Sequence, residues 1–180
     1  ETAGMIVCFG LPILHHNGLY NAAALVCDGR LVALIPKRHL AGDGLHYEPR
    51  WFNPWPEGEV AVWRRGDLQV PVGDLLADCG GLRVGFEVCE DAWVAERPGG
   101  AQSRLGVDVI MNPSASHFAF GKRAVREGFV VEGSRAFGVT YLYANLLGNE
   151  AGRAIYDGGA MIAADGRLLA VGPRFSFQDV

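Results

Sequence analysis

Apolar residues run along this chain in short blocks separated by glycine-rich punctuation, a rhythm that predicts strands more than long helices. Residues 5–13, which include Gly10-Leu11-Pro12, predict a buried strand. Two further blocks, 20–27 and 31–35, flank Asp28-Gly29, a dipeptide that favours a tight hairpin because both turn positions call for positive φ. The same arrangement returns near the other end, where 159–164 and 168–171 flank Asp165-Gly166. Blocks at 82–88 and 107–111, each followed by polar residues, and a further one at 139–145 predict more strands. Residues 101–106 predict a short helix, and 123–137 an amphipathic one with Val125, Phe129, Val130 and Phe137 along its apolar stripe. Residues 37–59 and 67–74 keep no sustained period and predict irregular chain, the first stretch long enough to be a functional loop. Strands alternating with helices, with hairpins added, predict an α/β domain whose sheets are covered by helices.

The chain has 180 residues, 49% of them hydrophobic and 20% charged, which is room for one globular domain with a substantial core. A net charge of −4 with interspersed signs gives no footprint for nucleic acid or an anionic membrane. No apolar run approaches the roughly 18–20 residues needed to cross a bilayer, and the first residues lack the basic and apolar regions of a secretory signal. Four cysteines occur without a CxxC pair, and the histidines show no zinc-ligand spacing, so no metal is expected. Cys8, Cys27 and Cys79 lie in or beside apolar runs and read as buried, reduced thiols, which fits a cytoplasmic protein. The chain opens without methionine, and its last residues do not resemble a natural terminus, so a piece of a longer polypeptide is expected.

Chemistry concentrates where strands end. Cys89 closes the block 82–88 and is followed at once by Glu90-Asp91, a placement that projects a thiol into a cleft or buries it like its three siblings. The neighbouring acids would raise its pKa, so an activating cation or base must come from elsewhere. Lys37, just after the block 31–35 and Pro36, is either a cleft cation able to donate to an oxyanion or an ordinary surface lysine. Glu48 stands among Tyr47, Trp51, Phe52 and Trp55, which either desolvate its carboxylate or pack together and leave it outside. The stretch 112–122 offers Ser114, Ser116 and Lys122 either to orient a polar substrate or, through a serine, to cap the next helix. His15, His16 and His39 read as structural or surface residues. The glycine-rich stretches carry neither GxxxxGK[ST] nor GxGxxG, so nothing in them supports a nucleotide loop.

Taken in order, several motifs resemble the nitrilase (carbon–nitrogen hydrolase) superfamily, and within it the glutaminase domain of glutamine-dependent NAD+ synthetases. They are Gly10-Leu11-Pro12, His16-Asn17 with Tyr20-Asn21, Pro36-Lys37, Tyr47-Glu48-Pro49-Arg50-Trp51-Phe52, Cys89-Glu90-Asp91 with Trp93, Asn112-Pro113-Ser114-Ala115-Ser116-His117, and Tyr156-Asp157-Gly158-Gly159. The resemblance covers essentially the whole chain. It implies a nitrilase-type α-β-β-α sandwich truncated at the N-terminus, residues 1–180 being a partial carbon–nitrogen hydrolase (glutamine amidotransferase) domain.

By the same resemblance a Glu–Lys–Cys triad would have Cys89 as nucleophile and Lys37 as the cation beside the oxyanion. Glu48 would be the supporting second glutamate. Glu90, Ser116 and Lys122 fall where the glutaminase branch contacts the α-amino and α-carboxylate groups of L-glutamine. The family's general-base glutamate belongs to an N-terminal segment outside this chain, and Glu1 lacks the context to replace it. The chain alone is therefore expected to be short of one triad member. It is also expected to fold poorly, since a missing first strand exposes its neighbour's edge. No cofactor is implied for this domain; ATP and Mg²⁺ belong to the synthetase domain, the implied partner within one polypeptide, and a homo-oligomer is expected. Two other readings stay open: a stand-alone amidase or nitrilase of the superfamily, and a non-catalytic binding or oligomerisation module.

Overall fold

The computed structural model describes residues 2–177. Glu1, and with it the question of a catalytic role there, lies outside them, as do residues 178–180. The elements in chain order are β1 (Ile6–His15), β2 (Gly18–Cys27), β3 (Arg30–Pro36), the four-residue helix α1 (Glu48–Trp51), β4 (Val60–Arg65), β5 (Leu68–Gly73), β6 (Ala77–Cys79), β7 (Leu82–Phe86), a 3₁₀ turn at Cys89–Ala92, α2 (Pro98–Arg104), β8 (Val109–Ser114), α3 (Lys122–Phe137), β9 (Thr140–Asn145), β10 (Leu147–Glu150), β11 (Ala154–Asp157), β12 (Ala160–Ala164) and β13 (Arg167–Val171). Both Asp-Gly hairpins form as expected: Asp28 and Gly29 take φ 48° and 74°, Asp165 and Gly166 take 51° and 70°, the paired positive φ of a turn whose twist matches its strands.

Two sheets make up the body. One has five strands in the order β1-β2-β3-β5-β4, the other six in the order β13-β12-β9-β8-β7-β6, and β10-β11 form a separate hairpin. They pack face to face through Ala23, Leu25, Ala33 and Ile35 from the first sheet and Val84 and Phe86 from the second, joined by Val88 just beyond β7. Strand alternation then fixes what faces outward. On the six-stranded sheet, Ile110, Tyr141 and Ala163 turn to the far side and meet Val130 of α3. Helix α2 packs beside α3 and against β7. Among the described residues, α2 and α3 thus form the helical layer of that face. The outer face of the five-stranded sheet carries its own cluster of Ala22, Ala24, Leu34, Val70 and Val72, closed by Trp55.

Several expectations give way. Residues 67–74, read as irregular, are mostly β5, which pairs along its length with β4, a strand not anticipated. Proline is disfavoured in an interior strand, yet β5 holds Pro71: it meets β3 in parallel at the single pair Leu34↔Val72, so the missing N–H disrupts no long ladder on that side. In α3 the expected stripe is shifted: Val125 is 53% exposed, while Arg126 is buried at 2%. Neither Ser114 nor Ser116 caps this helix, whose N-cap is Gly121 in the left-handed region. Cys8, Cys27 and Cys79 are half-buried, not fully enclosed, and flank the inter-sheet core. Trp55 leaves Glu48 for the outer cluster, where it packs edge-on against Tyr20 with centroids 5.0 Å apart.

The arrangement also sets where a site can form. Strands β7, β8 and β9 run parallel, so their carboxyl ends deliver Cys89, Ala115 and Asn145 to one rim, the usual place for a ligand crevice in parallel sheets. The facing sheet contributes Gly10, Asn21 and Lys37 to the same cleft.

Candidate active site

The cleft between these strand ends has a volume of about 660 Å³, and Cys89, Lys37 and Glu48 all line it. Cys89 follows the end of β7 and begins the 3₁₀ turn with φ 51°. A non-glycine residue held there costs on the order of 1 kcal/mol and persists only where its surroundings enforce it. Asp91 supplies much of that enforcement. Its buried carboxylate accepts the Val88 N–H at 2.9 Å and the His39 N–H at 2.8 Å, tying the turn to the chain just after Lys37. His39 Nδ1 also lies 3.0 Å from Asp91, and that hydrogen bond raises the imidazole pKa above its ordinary value. Glu87, two residues before Cys89 and 0% exposed, is clamped by Arg97 and by the Gly99 N–H at 2.9 Å. Below it a Cβ at Gly85 would meet Gln102 Oε1 at 2.2 Å, so a side chain there has to displace Gln102.

Lys37 is buried at 1%, so its cation must be matched. Glu48 does this, by direct contact of Oε2 with Nζ. The Glu48 carboxylate also accepts Asn21 Nδ2 at 2.7 Å and the Ala41 N–H at 2.6 Å. Glu48 is thereby a fixed acceptor that aims the ammonium. Tyr47, Trp51 and Phe52 complete the wall on this side. Burial holds the Cys89 thiol above its ordinary pKa; Lys37 and a hydrogen bond from the Ala115 backbone pull it down, while Glu48 and Glu90 push it up. A thiol with a buried ammonium and a backbone N–H beside it is equipped to become a nucleophile whose product charge has somewhere to go.

The other residues singled out in the sequence divide. Glu90 is half-buried, and its carboxyl is raised chiefly by desolvation, with Lys37 and Lys122 opposing. Lys122 lies over the Trp93 ring at 5.3 Å and next to His117 at 3.2 Å; its ammonium is lowered first by burial and then by Arg126. Both interact electrostatically with Cys89 but stand outside the lining of the cleft. Ser116 is not brought into the cleft: it is buried at 3%, and its hydroxyl faces Arg126 Nε at 3.3 Å.

Sequence reasoning missed the residues that hold this wall. Arg126 donates to the Ser116 and His117 carbonyls, both at 2.8 Å, and to Asp157 at 2.7 Å. Asn145 donates to Asp157 at 2.8 Å and accepts the Ser116 N–H at 2.8 Å. Burial alone would raise the Asp157 carboxyl, but Arg126, Asn145 and Arg174 together hold it below the usual range. At the mouth, Arg153 donates to the Leu45 carbonyl at 3.0 Å and stacks over Tyr47 at 4.7 Å, linking the β10–β11 hairpin to the loop before α1. Among the described residues, no group of His, Cys, Asp or Glu is arranged to hold a metal ion, and no helix is long and apolar enough to cross a membrane.

The sequence matches the family described as "Carbon-nitrogen hydrolase" over residues 1–177. It is 35% identical over 192 residues to the glutamine-dependent NAD(+) synthetase of Saccharomyces cerevisiae, covering 100% of this chain and 26% of that protein. The synthetase of Mus musculus is 36% identical over 188 residues, with 99% and 26% covered. A crystal structure of a glutamine-dependent NAD(+) synthetase from Cytophaga hutchinsonii superposes with a TM-score of 0.89 at 43% identity, covering 98% of this chain and 29% of that one. The superposition bears out the nitrilase-type α/β fold expected from the motifs. The chain spans about a quarter of the length of the curated relatives it matches.

Proposed function

The chain belongs to the carbon–nitrogen hydrolase family, and on that footing we propose that its cleft hydrolyses the side-chain amide of L-glutamine. The ammonia released would serve a synthetase domain that amidates adenylated deamido-NAD. The observation that carries the reading is a lysine buried at 1%, locked by Glu48 and facing the same cleft as Cys89. An uncompensated ammonium in that position would be expensive; one that receives a transient oxyanion is useful.

In the proposed reaction the Cys89 thiolate attacks the amide carbon. A C–S bond forms, and the carbonyl electron pair moves onto oxygen, where the Lys37 ammonium stabilises it. The C–N bond then breaks with a proton delivered to nitrogen, leaving a thioester and ammonia. Water adds to the thioester, again through an oxyanion beside Lys37, and glutamate departs as the thiol re-forms. Glu48, with its oxygens committed to Lys37, Asn21 and the Ala41 N–H, is suited to fixing the cation and the incoming water. The proton shuttle is assigned to the family's general-base glutamate, a role that Glu48 is too heavily engaged to fill. Glu90 and Lys122, which interact electrostatically with Cys89 but stand outside the cleft's lining, are assigned to the substrate's α-amino and α-carboxylate groups, which would have to extend beyond that lining to meet them. Ser116 shapes the segment between them from behind the wall.

The test uses the full-length protein with Cys89→Ala. Loss of glutamine-dependent NAD+ formation with ammonia-dependent formation intact is the expected result. Retention of both would remove Cys89 from the nucleophile's role.

A further inference from the structure

Cys27 and Cys79 stand at the end of the molecule away from the cleft, and their sulfur atoms are 2.7 Å apart. They belong to different sheets: Cys27 ends β2, and Cys79 ends β6, the three-residue edge strand of the other sheet. Both are half-buried and therefore reachable from solvent. Each also borders a turn, Asp28-Gly29 after one and Gly80-Gly81 after the other, and a Cβ at Gly80 or Gly81 would meet nothing within 4 Å. The chain after Cys79 is thus uncrowded, whereas the turn after Cys27 is held by the Gly4 N–H on Asp28 Oδ1 at 2.9 Å. Asn21, at the start of the same strand β2, lines the cleft; six residues of strand separate it from Cys27, about 20 Å.

We propose that Cys27 and Cys79 are a thiol-modification site that closes to an inter-sheet disulfide by exchange with a low-molecular-weight disulfide such as oxidised glutathione. One sulfur, as thiolate, attacks the external disulfide, forms a mixed disulfide and releases one small thiolate. The second sulfur loses its proton to solvent, attacks the first and expels the other small thiolate. Two protein thiols are oxidised, and one external disulfide is reduced to two thiols. The second step is intramolecular between atoms already in contact, so it carries the high effective concentration of a preformed pair. Desolvation and the neighbouring Cys27 push the Cys79 thiol up to about 12, so closure is slow at neutral pH and faster in base. The bond would tie β6, the edge strand beside β7, to the opposite sheet across a span of 52 residues.

This inference does not depend on amide cleavage at Cys89. The experiment treats the intact protein with oxidised glutathione, alkylates the remaining thiols and maps disulfide-linked peptides by mass spectrometry. The expected product is lighter by two hydrogens, with a Cys27–Cys79 linkage and Cys8 and Cys89 alkylated. Its Tm should rise by roughly 5–15 °C, reversibly with dithiothreitol. Cys27→Ser and Cys79→Ala should each abolish the linkage and the shift, while Cys8→Ser keeps both. Free alkylation of both thiols after equilibration would overturn the proposal, and so would a linkage that runs instead through Cys8, which lies on β1. The mapping on the unsubstituted protein decides the matter even if a variant does not fold.

Discussion

Replacing Arg126 by methionine tests how the cleft wall is held. The side chain is 3% exposed and its partner Asp157 1%. Deleting one member of a buried ion pair costs about 3–5 kcal/mol, because the remaining charge stays buried without its counter-ion. Asp157 keeps Asn145 at 2.8 Å and the partly exposed Arg174 at 3.3 Å, which places the expected loss at the lower end, about 3 kcal/mol. The Ser116 carbonyl retains Asn145 at 3.0 Å, but the His117 carbonyl loses Arg126. For a chain of this size that is a fall in Tm of about 9 °C. Adding Asp157→Asn removes the stranded charge, so the double variant should be more stable than Arg126→Met alone by about 1–2 kcal/mol.

The pair also carries a pH signature. Asp157 has a depressed carboxyl in the folded state, so its stabilisation is full above the ordinary carboxylate range and is lost as pH falls through the depressed value. Without Arg126 that loss should begin at higher pH. Urea unfolding followed by tryptophan fluorescence on the full protein reads all of this. A cost under about 1 kcal/mol for Arg126→Met, or strictly additive effects in the double variant, would refute the reasoning.

Other outcomes follow from the site. Lys37→Met should raise the Cys89 thiol further, because the cation now lowers it; the pH profile of Cys89 alkylation should move upward, and turnover should fall on the order of 10²–10³-fold. Gly85→Ala should displace Gln102, which both accepts from and donates to the Phe86 backbone at 2.9 Å, at a cost of about 2–3 kcal/mol in chemical denaturation. His39 has a raised pKa through Asp91, with Arg38 opposing and Glu57 adding to the shift. Its stabilisation is complete below the ordinary histidine value and is lost as pH rises through the raised one. Thermal melts across that window should therefore show a decline that His39→Gln flattens.

The parts of this molecule that could be read from sequence are those specified by local rules. Asp28-Gly29 and Asp165-Gly166 announce hairpins because positive φ at two successive positions admits few other residues. Strand β7, with Cys89 beyond it, could be placed because an apolar block ends where polar residues begin. What escaped is set by tertiary partners. No local pattern distinguishes Lys37 buried against Glu48 from a surface lysine; Asn21, brought in from β2, and the Ala41 N–H in the intervening loop fix the carboxylate that decides it. Arg126 looks like a solvated helix residue until Asp157, from β11, is in place to receive it. Trp55 reads as a neighbour of Glu48 in sequence but packs on the outer face of its sheet. Cys89, Lys37 and Glu48 were nominated together by motif order, and the fold brings them to one cleft.

The most direct measurement is covalent trapping of the full-length protein with a γ-diazoketone analogue of glutamine, followed by peptide mapping. A single adduct at Cys89, suppressed by excess L-glutamine and slowed in Lys37→Met, is the predicted result. An unlabelled Cys89 under conditions where Cys8, Cys27 or Cys79 reacts would contradict the assignment of this cleft to amide cleavage.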